Sequence, residues 1–360
     1  MSKIVYLLGA GASRGIRTTD NNPNHFEINL GESHIEEGLP LVYEIPDRLD
    51  YIINKVKECS ISEEIWHKIY PIGERGGTGF NEAREMLLKD LRWLKDQSAA
   101  HATIDTFAKK LYLTDKMDDF YKVEMLLSIF FVIEQIINKP DGRYDTFLAS
   151  VLTSRLELPE NIAIVTWNYD SQFEMAYKEY ANRRSYDELR LNLKICDLKD
   201  DSENRYKDGC NKIFKVNGTA NFMKSLPITS YKDLTDECLN VILNHYMKDK
   251  KNPMGTRLSF AWEFGRFKNG KLNSFIKEAV KDADVLVVIG YTFPFFNREI
   301  DRNMIGYMRS LKKIYIQDPN AENIKQNLLP VLLFHEEHQY LYEHISLITN
   351  TSQFFLPPEL

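Results

Sequence analysis

Hydrophobic positions along the chain fall into two kinds of pattern. Five short runs, Lys3–Leu8, Ile162–Thr166, Ile213–Val216, Val285–Ile289 and Lys313–Ile316, are almost continuously apolar and rich in Ile, Val or Tyr. Such runs, without polar alternation, mark strands covered on both faces, as in a parallel sheet. Elsewhere apolar residues recur at helical spacing, first at Leu87, Leu88, Leu91 and Leu94, then at Met125, Leu126, Ile129, Val132, Ile133, Ile136 and Ile137. These stripes predict helices packed into a core. The longest apolar stretch, Val123–Ile137, is interrupted by Glu124, Ser128, Glu134 and Gln135. It is too short and too polar to span a bilayer and predicts a buried helix. Thr18–Asn29, Gly73–Gly79 and the charged stretch Lys199–Asn211 predict loops.

Together these elements predict an α/β fold: a Rossmann-like, mostly parallel sheet with helices on both faces and an inserted helical module. Residues 1–40 and 160–330 form the sheet domain in this scheme, and 41–159 the helical insertion. Residues 331–360, rich in aromatic and apolar side chains, form a tail that docks on its own domain or serves as an interface. A length of 360 residues suits about two domains of roughly 150 residues, or one large domain with an insertion. The strand-end motifs described below run from residue 9 to 318, which favours the insertion.

Composition narrows the function classes. Hydrophobic residues make up 43% and charged residues 27%, the range of an ordinary globular chain. A net charge of −6 gives no support for direct binding to a phosphate-coated partner. The four cysteines, Cys59, Cys196, Cys210 and Cys238, include no Cys-x-x-Cys pair, so neither a structural zinc site nor a disulfide framework is expected. His335 and His338 are three apart, a spacing that a solvated helix face explains as well as a metal does. The opening run Ile4–Leu8 is too short for a secretory signal, and a cytoplasmic protein is expected.

Candidate chemistry sits where the strands end. The first strand runs into Gly9-Ala10-Gly11-Ala12-Ser13, where small residues allow a tight turn and close approach of a diphosphate, with a helix expected to begin near Ser13. Arg14 stands where a dehydrogenase fingerprint has its last Gly or Ala, and the region where its acidic ribose ligand would follow reads as a loop, so hydride transfer fits poorly. The other four runs lead to Thr166-Trp167-Asn168-Tyr169-Asp170, Asn217-Gly218-Thr219, Gly290-Tyr291-Thr292 and Gln317-Asp318-Pro319. Ligands of open α/β sheets bind outside the carboxyl ends of the strands.

In this order the five segments resemble the motifs of the sirtuin-like NAD-consuming family. Gly9–Ser13 is similar to its first nucleotide motif and Thr166–Asp170 to its Thr-x-Asn-x-Asp motif. Lys215-Val216-Asn217-Gly218-Thr219 is similar to a Lys-x-His-Gly-Ser segment of its bacterial members. Gly290-Tyr291-Thr292 and Gln317-Asp318-Pro319 resemble its later motifs. The four-cysteine zinc ribbon of protein deacylases is missing, so the resemblance points to the bacterial branch that hydrolyses NAD+ in anti-phage defence.

The resemblance implies roles. Asn168 would position water or the ribose near C1′, and Asp170 would bind the nicotinamide carboxamide or orient Asn168. Gly9, Ala10, Gly11, Ala12 and Ser13 would bind nucleotide, the last three at the diphosphate. Thr166, Gly290, Tyr291 and Thr292 would complete the phosphate and ribose contacts, with Gln317 on the adenosine side. NAD+ would be substrate, with no metal. The family's catalytic histidine position holds Asn217, whose amide does not titrate and cannot act as a general base. Three explanations stand: a His→Asn substitution that traps bound NAD+, which the intact remainder of the constellation favours; another base, with Asp170 nearest by motif; or a catalytically silent NAD- or ADP-ribose-binding regulatory subunit. By the same resemblance the protein would form a homo-oligomer. No Walker-type motif or sensor domain is evident in the chain, so activation would come from a separate partner such as a HerA-type ATPase, and any contact with nucleic acid would be through that partner.

Overall fold

The computed structural model describes residues 2–15, 38–62, 64, 66, 78–138, 140–181, 185–197, 199, 211–222, 234–251, 256–265 and 271–360. Most of the three predicted loops (18–29, 73–77 and 200–210), and Cys210 with them, lie outside these residues. In chain order the regular elements begin with β1 (Ile4–Leu8), α1 (Ile45–Glu58), α2 (Phe80–Ala100), α3 (Ile104–Leu113), α4 (Met117–Ile137) and α5 (Gly142–Val151). Then come β2 (Ile162–Thr166), α6 (Gln172–Tyr177), α7 (Tyr186–Asn192), β3 (Ile195–Asp197), β4 (Ile213–Lys215), β5 (Gly218–Phe222), α8 (Asp236–Asp249) and β6 (Thr256–Leu258). The last are α9 (Lys271–Val280), β7 (Val285–Ile289), α10 (Arg298–Tyr307), β8 (Lys313–Gln317), α11 (Ala321–Leu332) and β9 (Ile345–Ile348).

All five predicted strands form, and they belong to one seven-stranded sheet in the order β3-β4-β2-β1-β7-β8-β9. Every neighbouring pair is parallel. The absence of alternation in these runs has the expected cause, because successive residues enter two different cores. Val5, Leu7, Val165, Leu286, Val288 and Ile316 join α9, α10 and α11 on one face. Ile4, Tyr6, Leu8, Ile164, Val287 and Ile289 join α5, α6 and the aromatic Phe354 on the other. The molecule is α/β with a Rossmann-like sheet covered on both faces. From central β1 the sheet extends through β2, β4 and β3 on one side, where β4 inserts between β2 and the earlier edge strand β3, and through β7, β8 and β9 on the other. The topological switch point therefore lies between β1 and β7, where the loops leaving two adjacent strands diverge and ligands of such sheets bind.

The division of the chain differs from the predicted 41–159 insertion. One compact unit comprises Met1–Gly38, Pro140–Gly218 and Ser259–Leu360, and the other Leu39–Lys139 and Thr219–Leu258. Residues 140–159 go with the sheet because Tyr144, Phe147, Leu148 and Val151 of α5 fill one of its cores. Thr219–Leu258 adds α8, β6 and most of β5 to the second unit, and β5 pairs with β6 in a two-stranded sheet. Within that unit α4 is the buried helix that Val123–Ile137 predicts. Its Glu134 forms an ion pair with Arg48 of α1, and Asp90 of α2 accepts from Tyr246 of α8 and from Lys250 just after it. No described helix is long and apolar enough to cross a membrane.

The tail packs on its own sheet. β9 extends the sheet beside β8, and buried Phe354 meets Tyr144 and Phe147 edge-on.

Candidate functional site at the strand ends

The loops after β1 and β7 touch at the backbone. Gly9 N–H donates to Ile289 O and Gly11 N–H to Gly290 O, each at 3.0 Å. A Cβ on Gly9 would lie 2.6 Å from Gly290 O, and one on Gly11 2.8 Å from Gly290 Cα. Gly290 adopts φ +61°, and a Cβ there would lie 2.4 Å from Ala12 N. The glycines of two separate motifs thus explain each other: neither loop has room for a side chain where they meet.

The geometry departs here from a helix start with open N–H groups. Ala10–Ala12 forms a single 3-10 turn. Ala12 N–H donates to Gly9 O and Ser13 N–H to Ala10 O. The amides of Gly11, Ala12 and Ser13 are therefore all engaged within the protein. The outer side of the turn is held by Arg143, whose guanidinium donates to Ala12 O at 3.0 Å, forms an ion pair with Asp141 and lies over the Phe354 ring.

Ser13 gathers the second motif. Asn168 Nδ2 donates to Ser13 Oγ at 3.0 Å, and Ser13 Oγ and the Tyr144 hydroxyl share a hydrogen bond of 2.7 Å. The Ser13 hydroxyl also lies beside the Asp170 carboxyl and acts to lower it. The Ser13 oxygen accepts from Asn168, and either hydroxyl of the Ser13–Tyr144 pair can be the donor. All four side chains are buried, and they come from the turn after β1, the loop after β2, and α5. Burial raises the Asp170 carboxyl above the ordinary carboxylate range, opposed by the Lys215 ammonium and the hydrogen bonds from Ser13 and Gln172. Burial and the nearby Asp170 charge raise Tyr144, which stays a neutral phenol. Among the described residues, Asn168 Oδ1 has no hydrogen-bond partner, which leaves an acceptor at this cluster.

The loop Trp167–Asp170 is clamped from β4. Val216 N–H donates to Thr166 O, Asn217 Nδ2 to Trp167 O at 2.9 Å and Lys215 Nζ to Asp170 O at 2.6 Å. The Asn217 oxygen accepts from Ala261 N–H at 2.9 Å. An amide serves both bonds because it donates and accepts at once. Thr166 caps the loop start, with its Oγ1 accepting from Asn168 N–H. Beneath lies a group of buried charges. Lys215 contacts both oxygens of Glu174, and Arg190 bridges Glu174 to Asp197. Burial pulls the Lys215 ammonium below its usual range, against the attraction of Glu174. Burial acts upward on Glu174, but Lys215 and Arg190 outweigh it and hold the carboxylate low.

The remaining predicted residues separate from this cluster. Tyr291 stacks in parallel on Trp167, centroids 5.5 Å apart, and its hydroxyl contacts buried Asp301 at 2.9 Å. Thr292 is exposed, and its carbonyl accepts from Asn327. Gln317 has its side chain committed to the tail: Nε2 donates to Asn350 O and Gln353 O, and Oε1 accepts from Phe355 N–H. Sequence reasoning did not single out Arg143, Tyr144, Glu174, Arg190 or Asp301. A hollow of about 210 Å³ lies at the opposite, amino-terminal edge of the sheet, beside Lys3, Glu160 and Lys281, away from all of these groups. No group of three or more His, Cys, Asp or Glu that could hold a metal occurs among the described residues. His335 and His338 each meet a backbone carbonyl through Nε2.

Neither a protein-family model nor a curated protein sequence matches the chain.

Proposed function

We propose that the chain is an NAD+ glycohydrolase, an effector of bacterial anti-phage defence that cleaves the nicotinamide–ribose bond and depletes NAD+ once activated. The observation carrying this is the buried convergence of Ser13, Asn168 and Asp170 at adjacent strand ends. These residues come from two motifs that the sequence separates by more than 150 positions.

Cleavage develops positive charge at ribose C1′ as the C1′–N bond breaks and nicotinamide leaves as a neutral ring. Water then bonds to C1′ and loses a proton. Asn168 Oδ1 is the acceptor that orients this water. Asp170, buried beside Ser13, is the group that takes the proton. Its upward shift brings a carboxylate closer to working pH, as a general base requires. Asn217 holds the loop by two backbone contacts, which supports a base other than residue 217. Assembly into a homo-oligomer and control by a separate activator, such as a HerA-type ATPase, complete this reading by family resemblance.

A second reading, a silent NAD- or ADP-ribose-binding regulatory subunit, draws on a different observation: the amides of Gly11, Ala12 and Ser13 are already bonded. One experiment separates the two. NAD+ is incubated with the purified chain, Asp170→Asn and Asn217→His; nicotinamide and ADP-ribose are quantified, and binding is measured by calorimetry. Turnover abolished in Asp170→Asn supports the glycohydrolase with an aspartate base. Turnover only in Asn217→His supports a displaced catalytic histidine. Binding without turnover in all three, both alone and with a candidate activator added, supports the silent subunit, and no binding to any overturns both.

A further inference from the structure

The group of charges beneath the Asn168 loop is more than that loop needs to fold. Asp170, Glu174, Asp197, Lys215 and Arg190 are all at least nine-tenths buried. Desolvating that many ionisable groups is expensive, and apolar side chains of similar volume often serve stability better. The arrangement has a direction. Arg190 and Asp197 anchor Glu174 from α7 and β3, Glu174 holds the Lys215 ammonium at 2.8 and 3.1 Å, and the third ammonium hydrogen reaches Asp170 O at 2.6 Å. The chain of ion pairs ends at the residue whose carboxyl meets Ser13. Residues 215 and 217, two apart at the end of β4, thereby grip the carbonyls of Asp170 and Trp167 on either side of Asn168.

We propose that Lys215 is a positioning residue for Asp170: it fixes the turn that aims the Asp170 carboxyl at Ser13 and supplies the positive charge that faces this carboxyl from β4. The inference rests on the reading of Asp170 as the proton acceptor, and it adds the group that tunes it. The other groups facing Asp170 are Ser13 after β1, Tyr144 on α5, and Glu174 with the Gln172 amide on α6. Tyr144 stays neutral and Glu174 carries like charge, so Lys215 is the one cation acting on Asp170 among these groups. Its Coulombic pull opposes the upward push of burial. Removing the ammonium takes that opposition away and moves the Asp170 titration upward, by about one unit or more for an opposite charge at close range.

The test compares Lys215→Met and Lys215→Arg with the parent chain, each with and without Asp170→Asn, using two readouts. The first is thermal unfolding from pH 4 to 9, which needs no catalysis. A carboxyl raised in the folded state stabilises while protonated, and that stability is lost as pH rises towards its folded pKa. Adding Asp170→Asn removes this term, so the difference between each pair reports the Asp170 titration. Its midpoint is expected at least one pH unit higher in Lys215→Met than in the parent, with Lys215→Arg near the parent. The second is the pH profile of nicotinamide release, whose acid limb should move by the same amount. Equal titration midpoints of Asp170 in Lys215→Met and parent overturn the proposal, even if Lys215→Met is less stable. A shifted midpoint with no NAD+ cleavage by any variant leaves Lys215 tuning Asp170 and overturns the glycohydrolase reading. If Lys215→Met does not fold, Lys215→Arg carries the test: its longer, planar head changes the grip on Asp170 O while keeping the charge. An unmoved midpoint with a lower kcat is then the expected result, and an unmoved midpoint with unchanged kcat overturns the proposal.

Discussion

The two sides of the sheet end differently. On the β2, β4 and β3 side the strand ends carry ionisable groups held in a chain of buried contacts: Asp170, Lys215 and Asp197, with Glu174 and Arg190 behind them. On the β7, β8 and β9 side the strand ends carry a glycine, Gly290, and an amide, Gln317, which are used up in contacts with the β1 turn and the tail. Next to β1, both sides begin with the same kind of strand: β2 and β7 each have five buried residues packed into two cores. The difference teaches that the parallel sheet fixes positions and leaves the ends free to specialise. One side concentrates buried ionisable groups, and the other is taken up by contacts with the β1 turn and the tail.

This contrast can be broken by substitution. The largest effect is expected from Asp170→Asn on the polar side: nicotinamide release falls by about a hundred- to ten-thousand-fold, the range for loss of a general base, while circular dichroism stays native. Gly290→Ala on the other side should act in the opposite way. A left-handed backbone together with overlap on Ala12 N costs on the order of 3 kcal/mol, read as a lowered midpoint in denaturant unfolding. Gln317→Ala should be milder, about 1–3 kcal/mol from buried amides and carbonyls left unpaired, with faster amide exchange confined to residues 349–356. The smallest effect is a slope. Burial pushes the Asp301 carboxyl well above its usual range, so the folded state keeps a proton that the unfolded chain releases above about pH 4. Its stabilising contribution is full below that pH and is lost as pH rises towards the folded value. Asp301→Asn should flatten the fall of melting temperature between pH 4 and 8. If Gly290→Ala removed activity without loss of stability, or Asp170→Asn unfolded the chain, the division between the two sides would be wrong.

Much of this was legible in the sequence, for identifiable reasons. The five strands stood out because burial on both faces removes polar alternation. β3 and β9 escaped because β3 has three residues ending in Asp197, and β9 is only half-buried at the edge of the sheet. Ser13, Asn168 and Asp170 could be picked out as candidates because each follows a buried run at a strand end, where ligands of open α/β sheets bind. Arg143 and Tyr144 gave no such signal. The local pattern around Asp141 is that of a helix start, with Asp141 accepting from Arg143 N–H. Their contacts to Ala12 and Ser13 lie about 130 residues away and follow from packing alone. The second unit was misjudged at 219–258 because helical periodicity says that a helix packs but not against what. Gln317 shows the converse: its place at a strand end was foreseen, but the tail that occupies its side chain could not be.

The three glycines at the switch point have a mechanical consequence. Gly9 and Gly11 meet Gly290 with no side chain between them, and hydrogen bonds lock the two loops backbone to backbone. Such a joint transmits displacement without slack. Tyr291, next to Gly290, reaches α10 at Asp301, and Ser13 closes the turn that Gly290 touches. One outer helix and the hydroxyl that accepts from Asn168 are thereby joined through a single backbone contact.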